Sequence, residues 1–285
     1  MTDIICLGEA MGEIAFAPDG THNIGVGGDT FNTAIYLARG GAKSAFASAI
    51  GDDPFGAQVR AALAENRVED RLVLREGEST GIYSITNDAS GERFFHYWRS
   101  DAAVRRLFRN PPELDADWVY LSGISLYAFS DDPDSLFAAL EATRAKIAFD
   151  GNYRPRLWKG HEDAAREMFA RVMSMSSVVL PTFDDEVLMW GDASPQDTLK
   201  RIAGLGVPLV VLKQGPDGCL IHDGETRHVP VPAPVTPVDT TAAGDSFNAA
   251  FLAALVRGED VISAAQAGHR LAGRVIAHRG AIVPT

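Results

Sequence analysis

The sequence predicts an α/β fold: a doubly wound parallel sheet flanked by helices, with a small antiparallel β flap (a lid) beside it. Two observations carry this. Short apolar runs bounded by Gly, Pro or charge alternate with amphipathic stretches almost throughout the chain. Such alternation marks strand–helix–strand units, whose strands are covered on both faces and read as near-continuous hydrophobic runs. In two places the alternation fails, and strand-like segments follow one another with no helix between them.

The elements are justified in turn. "IICLGE", "SAFASAI", "WVYLSG", "KIAFD", "SVVLP" and "PLVVLK" read as buried parallel strands. Helical stretches fill 30–39, 54–65, 132–144, 162–174, 195–205, 244–256 and 260–277. Within 244–256, Phe247, Phe251 and Leu255 mark a single helix face. The breaks are "GEIAFAP", directly after the first strand, and "GIYSITNDASGERFFHYWR", two alternating strands around a turn at 87–91. The flap is therefore expected from about 12–28 and 81–99. No repeat, low-complexity tract or long linker divides the chain, so 1–285 is expected to be one domain.

Composition removes several classes of function. The formal charge of −12, with no basic stripe, argues against a nucleic-acid partner. No apolar run is long enough to cross a bilayer, and "MTDIICLGEA" lacks the basic and apolar regions of a secretory signal. Cys6 and Cys219 form no CxxC pair and fit a reducing cytosol, which makes the cytoplasm the expected location and leaves one bridge open. The seven His residues lack metal-ligand spacing, which speaks against zinc. If the ligands are anions, the few Arg and Lys must be concentrated locally against the global charge.

Two constellations bear on chemistry. In "VDTTAAGDSFNAAFLAAL", Asp245 stands at a helix entry behind Ala242, Ala243 and Gly244. A helix N-terminus offers unbonded N–H groups and the positive end of a dipole to an anion. A carboxylate there can take a proton from a hydroxyl while those groups hold a transferring phosphoryl, which is what phosphoryl transfer asks for. The same residues also suit an Asp cap with small neighbours for close packing. In "GVGGDTFNTAIYLARGGAKSAFASAIGDDPFG", Gly27 and Gly28 precede a helix with Asn32 one turn in. Either a ligand approaches closely there, or a tight turn enters a buried helix. A dinucleotide fingerprint is not matched, because Thr30 occupies the place of the third glycine.

The GG…N segment, GDDPFG, and DTTxAGDxF, in this order and spacing, resemble the PfkB (ribokinase-like) carbohydrate kinases from Cys6 to about Val283. "GERFFHYWRSDAAVRRLF", "LSGISL", "FDGNYRPRLW", "LPTFDDEVLMWG" and "HRGAIVP" resemble the branch of that family acting on 2-keto-3-deoxy sugar acids. Ribokinases and fructokinases usually carry Gly at the position of Ala242. Ala there fits the sugar-acid branch and counts against a required positive φ.

The resemblance implies an ATP-dependent kinase that forms the 6-phosphate of 2-keto-3-deoxy-D-gluconate, a product that would feed aldol cleavage in sugar-acid catabolism. It makes Asp245 the base and Ala242, Ala243 and Gly244 the anion hole, in contact with the nucleotide. Gly28, Asn32, Tyr83, Tyr97, Arg99, Asn152 and Arg154 become the substrate set. Planar guanidinium groups suit a carboxylate, which would distinguish an acid from the neutral sugar of a fructokinase. "KQGPDGC" implies ATP contacts from Lys213, Gly215 and Gly218, although a simple hairpin turn has the same composition. In "PTFDDE" the implied magnesium residues, acting through water, are Asp185 or Glu186; a first-turn acidic cluster is the alternative. Asp239 and Thr241, with backbone near 278–281, resemble a site for a monovalent cation such as K+. A flap strand pairing across a two-fold axis would give a homo-oligomer. Two other readings stay open: another PfkB sugar kinase such as a fructokinase, whose neutral sugar gives the arginines no carboxylate to pair with, and a non-catalytic sugar-binding regulator on the same scaffold, which has no need of Asp245. The broken glycine pattern puts a dinucleotide oxidoreductase last.

Overall fold

The computed structural model describes residues 2–17, 19–87 and 93–284. The main sheet has nine strands in the order β13-β12-β11-β10-β9-β8-β1-β4-β5. Seven run parallel: β1 (Ile4–Leu7), β4 (Ser44–Gly51), β5 (Glu69–Arg75), β8 (Trp118–Ser122), β9 (Lys146–Asp150), β10 (Val178–Val179) and β11 (Val210–Lys213). An antiparallel hairpin, β12 (Cys219–His222) and β13 (Thr226–Val229), closes one edge. All six strands expected from sequence are present. β5 was not foreseen; it is the opposite edge strand, and its charged residues hide a strand signal.

Strand alternation sends side chains to two cores. From β1, Ile5 and Leu7 enter one with α3 (Gly123–Ala128), α4 (Pro133–Ala142) and α5 (Glu162–Met175). Ile4 and Cys6 enter the other with α1 (Asp29–Arg39), α8 (Ala243–Val256) and α9 (Val261–Ile276). Phe247 and Phe251 of α8 stack in parallel in this second core, on the face their spacing predicted. α2 (Pro54–Glu65), α6 (Phe183–Trp190) and α7 (Pro195–Gly204) complete the helices. The thiols of Cys6 and Cys219 are both buried and free, so the bridge left open does not form.

Local signals start the helices. α2, α4 and α7 each open with a capping side chain followed by Pro: Asp53, Asp132 and Ser194 accept from the backbone three residues on. Asp53 belongs to GDDPFG and has a second task. One oxygen caps α2 at Gly56 N (2.9 Å), while the other accepts from Thr80 N (2.6 Å), on the link into the flap. That motif builds the fold rather than the cleft.

The flap is a separate sheet of order β3-β2-β6-β7, formed by β2 (Met11–Phe16), β3 (His22–Gly27), β6 (Ile82–Asn87) and β7 (Arg93–Trp98). Its outer pairings, β2–β3 and β6–β7, are antiparallel as expected, whereas β2 and β6 at its centre run parallel. β2 and β6 each enter the flap from the main sheet, which gives them a common direction. Beyond Asn87, the turn expected at 87–91 falls outside the described residues.

Candidate active site

In an open parallel sheet, ligands collect beyond the carboxyl ends of the strands, near the point where strand order reverses. Here that point lies at β1, between β8 and β4. The flap stands over the same end, and a cleft of about 1280 Å³ opens between them. Asp150 is the last residue of β9 and Lys213 the last of β11; Asn152, Arg154 and Thr182 follow their strands directly.

Asp245 is the third residue of α8 and makes no cap bond, which sets the capping alternative aside. It is about nine-tenths buried, and its Oδ2 accepts from Asn32 Nδ2 at 2.9 Å. Burial, with the Asp29 carboxylate nearby, pushes the Asp245 carboxyl up to about 8, although the Asn32 bond pulls it down. Ser246 N donates to the Ala242 carbonyl and closes the first turn. Ala243 N is turned onto the Thr240 carbonyl (3.2 Å), so it is not one of the outward donors expected from the sequence. Gly244 and Asp245 remain as first-turn positions lining the cleft.

Ala242 does adopt the left-handed conformation, φ 59° and ψ 18°, against the expectation drawn from its lack of Gly. Asn152, also on the cleft, has φ 38°. Two non-glycine residues held there cost of order 1–3 kcal/mol each, a form of strain that collects at functional sites. Gly28 is extended, and its role is room: an added Cβ would fall 2.1 Å from the Glu9 carbonyl oxygen.

The floor is a closed polar network. Lys213 Nζ donates to Asp150 Oδ1 (3.0 Å) and Asn248 Oδ1 (3.1 Å), and Asn248 Nδ2 donates to the Tyr120 hydroxyl (3.1 Å). Nearby, Asn152 Nδ2 donates to Asp29 Oδ2 at 2.8 Å, and burial raises the Asp29 carboxyl. The roof is the inner face of the flap. Tyr83 and Tyr97 sit opposite each other in β6 and β7, with ring centres 6.0 Å apart. The Tyr83 hydroxyl donates to Glu13. Arg99 is buried against Glu9 in an ion pair, with its guanidinium over the Tyr97 and Tyr127 rings. Arg154 is half exposed and lies 3.4 Å from Asp185, whose carboxyl is raised by burial.

Most of the residues singled out in the sequence thus meet in one cleft: Gly28, Asn32, Tyr83, Tyr97, Arg99, Asn152, Arg154, Asp185, Lys213, Asp239, Thr241 and Ala242 to Asp245. Gly27, which ends β3, does not line it, and nor do three of the residues that the resemblance implied. Gly215 and Gly218 form the tight turn between β11 and β12, with φ 57° and 90°, as the hairpin alternative has it. Glu186 is fully buried and paired with Arg201 at 2.5 Å, its carboxyl pushed up to about 7 by burial. Successive helical residues lie about 100° apart, so Asp184 and Asp185 face the cleft while Glu186 turns inward. Asp239 accepts from Thr241 N and Oγ1 and from Gly280 N, which ties the approach to α8 to the C-terminal segment.

Asp29, Ile124, Tyr127 and Asp150 also line the cleft and were missed in the sequence. Asp150 ends the strand "KIAFD", so its position at a carboxyl end was a usable signal. Asp29 reads as an ordinary first-turn acid, and nothing in the sequence places it beside Asp245.

Gly244 offers a direct test of the helix entrance. An added Cβ would meet only Lys213 Nζ, at 3.6 Å, so the position is not closed by packing. Gly244→Val is expected to hold or raise the melting temperature, Val being the better helix residue, while lowering kcat/KM by about 10²-fold through displaced substrate. Differential scanning calorimetry beside steady-state kinetics checks this; a lower melting temperature with intact kinetics would assign Gly244 to packing.

Comparison with known proteins agrees with this geometry. The profile described as pfkB family carbohydrate kinase matches residues 1–285. The 2-dehydro-3-deoxygluconokinase of Dickeya dadantii is 38% identical, over 99% of this chain and 97% of its own. The enzyme of that name from Haemophilus influenzae is 36% identical, over 99% and 96%. Among solved structures, fructokinase from Vibrio cholerae O395 with fructose, ADP and calcium superposes with a TM-score of 0.88 at 25% identity, covering 99% of this chain and 94% of that one. With its fold, its cleft and the full-length match in accord, the chain belongs to the pfkB family of carbohydrate kinases.

Proposed function

We propose that this protein transfers the γ-phosphoryl group of ATP to the 6-hydroxyl of 2-keto-3-deoxy-D-gluconate. The observation that carries the reading is one cleft holding Asp245 at the entrance of α8 together with Arg99 and Arg154. The names of the relatives at 36–38% identity support the same substrate. The two arginines take the carboxylate end of the sugar acid, and Tyr83, Asn32 and the Gly28 backbone lie along its hydroxyls. The 6-hydroxyl then faces Asp245. As its oxygen bonds to the γ-phosphorus and the bond to ADP breaks, its proton passes to the Asp245 carboxylate. First-turn amides at Gly244 and Asp245 face the charge on the transferring group, with Lys213 close by.

Among the described residues, no three acidic, His or Cys side chains converge on a metal. Asp184 and Asp185 on one wall are hard oxygen donors suited to a magnesium ion that arrives with the phosphates and keeps its water. Magnesium supplies charge neutralisation for the phosphates when bound. Asp239 and its backbone neighbours suit a monovalent cation such as K+. Exposed Phe16, Ile24, Phe94 and Trp98 on the flap support a homo-oligomer formed there. Buried free thiols suit a reducing cytoplasm.

A panel assay decides the substrate. ATP consumption with 2-keto-3-deoxy-D-gluconate, its galacto epimer, fructose and ribose is expected to give the highest kcat/KM on the acids. Fructose as the best substrate would replace this reading with a fructokinase.

A further inference from the structure

Glu9 has no part in the transfer described above, yet the flap is hung on it. The chain passes between the main sheet and the flap four times: at 8–10, at 28, at 76–81 and at 99–102. Glu9 lies on the first passage and touches the other three. Its carboxylate pairs with Arg99, and both side chains are buried, at 1% and 6% exposure. A Cβ on Gly81 would lie 2.8 Å from Glu9 Oε1 and 3.3 Å from Arg99 Cβ. A Cβ on Gly28 would lie 2.1 Å from the Glu9 carbonyl oxygen. Glycine at both places lets the passages close around this one residue.

We infer that Glu9 is the positioning residue of Arg99 and, through it, sets the preference of the site for an acid over a neutral sugar. The inference rests on reading Arg99 as a ligand of the substrate carboxylate. A guanidinium carries five N–H donors in a planar fork, so a carboxylate on one edge leaves donors on the other. Glu9 holds one edge, and the Tyr97 and Tyr127 rings, with centres 6.0 and 5.2 Å from the guanidinium carbon, hold the plane. Arg99 also lines the cleft, so the donors that Glu9 does not hold are the ones this reading assigns to the substrate carboxylate.

The test is the ratio of kcat/KM on the sugar acid to kcat/KM on a neutral ketose. Glu9→Gln is expected to lower that ratio roughly tenfold or more through KM for the acid, with KM for ATP unchanged. Glu9→Asp keeps the charge and is expected to retain part of the preference. In an Arg99→Ala background, Glu9→Gln should change the ratio no further, since Glu9 acts only through Arg99. Losing one member of a buried pair is far more damaging than losing both. Should Glu9→Gln fail to fold, Glu9→Asp and the double variant carry the comparison. Equal losses on both substrates, a shift in melting temperature alone, or a further fall of the ratio in the Arg99→Ala background would each overturn the inference. A wild-type enzyme with no preference for acids overturns the functional reading instead, and this inference with it. Wild-type preference with an unmoved ratio in the Glu9 variants overturns the inference alone.

Discussion

Asp245→Asn is expected to lower kcat by about 10²–10⁴-fold, the usual contribution of a general base, with the fold intact and nucleotide still bound. The variant keeps the size of the side chain and an oxygen for Asn32 Nδ2 to donate to, and it removes no cap, since Asp245 makes none. What it loses is the capacity to take up a proton. The pH dependence of the wild type carries the same signature. A carboxyl raised to about 8 is protonated, and idle as a base, at lower pH. Hence kcat/KM should rise with pH up to that value and fall about tenfold for each unit below it. Removing the Asn32 bond, as in Asn32→Leu, takes away a contact that favours the charged form and should move this limb to higher pH. Asp29→Asn removes a repelling charge and should move it lower. Stopped-flow single turnover, with isothermal titration of a nonhydrolysable nucleotide, separates lost chemistry from lost binding. Near-wild-type turnover in Asp245→Asn would end its assignment as the base.

Arg154→Ala and Arg99→Ala are expected to cost about 10–100-fold in kcat/KM on the sugar acid, since a hydrogen bond to a charged group contributes roughly 1.5–3 kcal/mol. A neutral ketose never engages the pair and should lose far less. The two variants differ in what they leave behind. Arg154 is half exposed, donates to the carbonyl of its neighbour Tyr153 at 2.9 Å and reaches Asp185 only at 3.4 Å, so its removal disturbs little else. Arg99→Ala abandons the buried Glu9 carboxylate, so a lower melting temperature should accompany its loss of selectivity. Lys at either place should restore activity in part, because a point charge does not reproduce the planar fork. Steady-state kinetics of both variants on one acid and one neutral sugar, with melting curves, check this. Equal losses on the two substrates would give the arginines to the fold or the nucleotide.

The fold was legible because strands buried on both faces leave apolar runs that charge and Gly interrupt cleanly. Elements that escaped notice lack that contrast: β5 is a charged edge, and the central parallel pairing of the flap is a property of its connections, invisible in period-2 alternation. Within the cleft, residues carried by the family's motifs could be found, as Asn152 and Arg154 were, both just past the strand that ends at Asp150. Those set by long-range packing could not. Asp29 meets Asn152 across 123 positions of chain, and Glu9 meets Arg99 through a flap between them. Glu186 misled for a related reason: three adjacent acids look equivalent in sequence, but a helix turns only two of them to the cleft. Ala242 misled because a small L residue can be forced into a left-handed turn when the surrounding structure fixes it.

The burial of α8 against α1 has a consequence for how the chain is made. Phe31, Ala34 and Ile35 of α1 share a core with Phe247, Ala249 and Phe251, which lie more than two hundred residues later. During translation, the apolar side of α1 therefore waits for its cover until nearly the whole chain has emerged. At about 5–20 residues per second, that interval is on the order of 10–40 s. Throughout it the half-built sheet presents an oily trough where the completed protein has a helix. The same late arrival delivers Asp245, so the nascent chain gains its base only as α8 comes to cover α1.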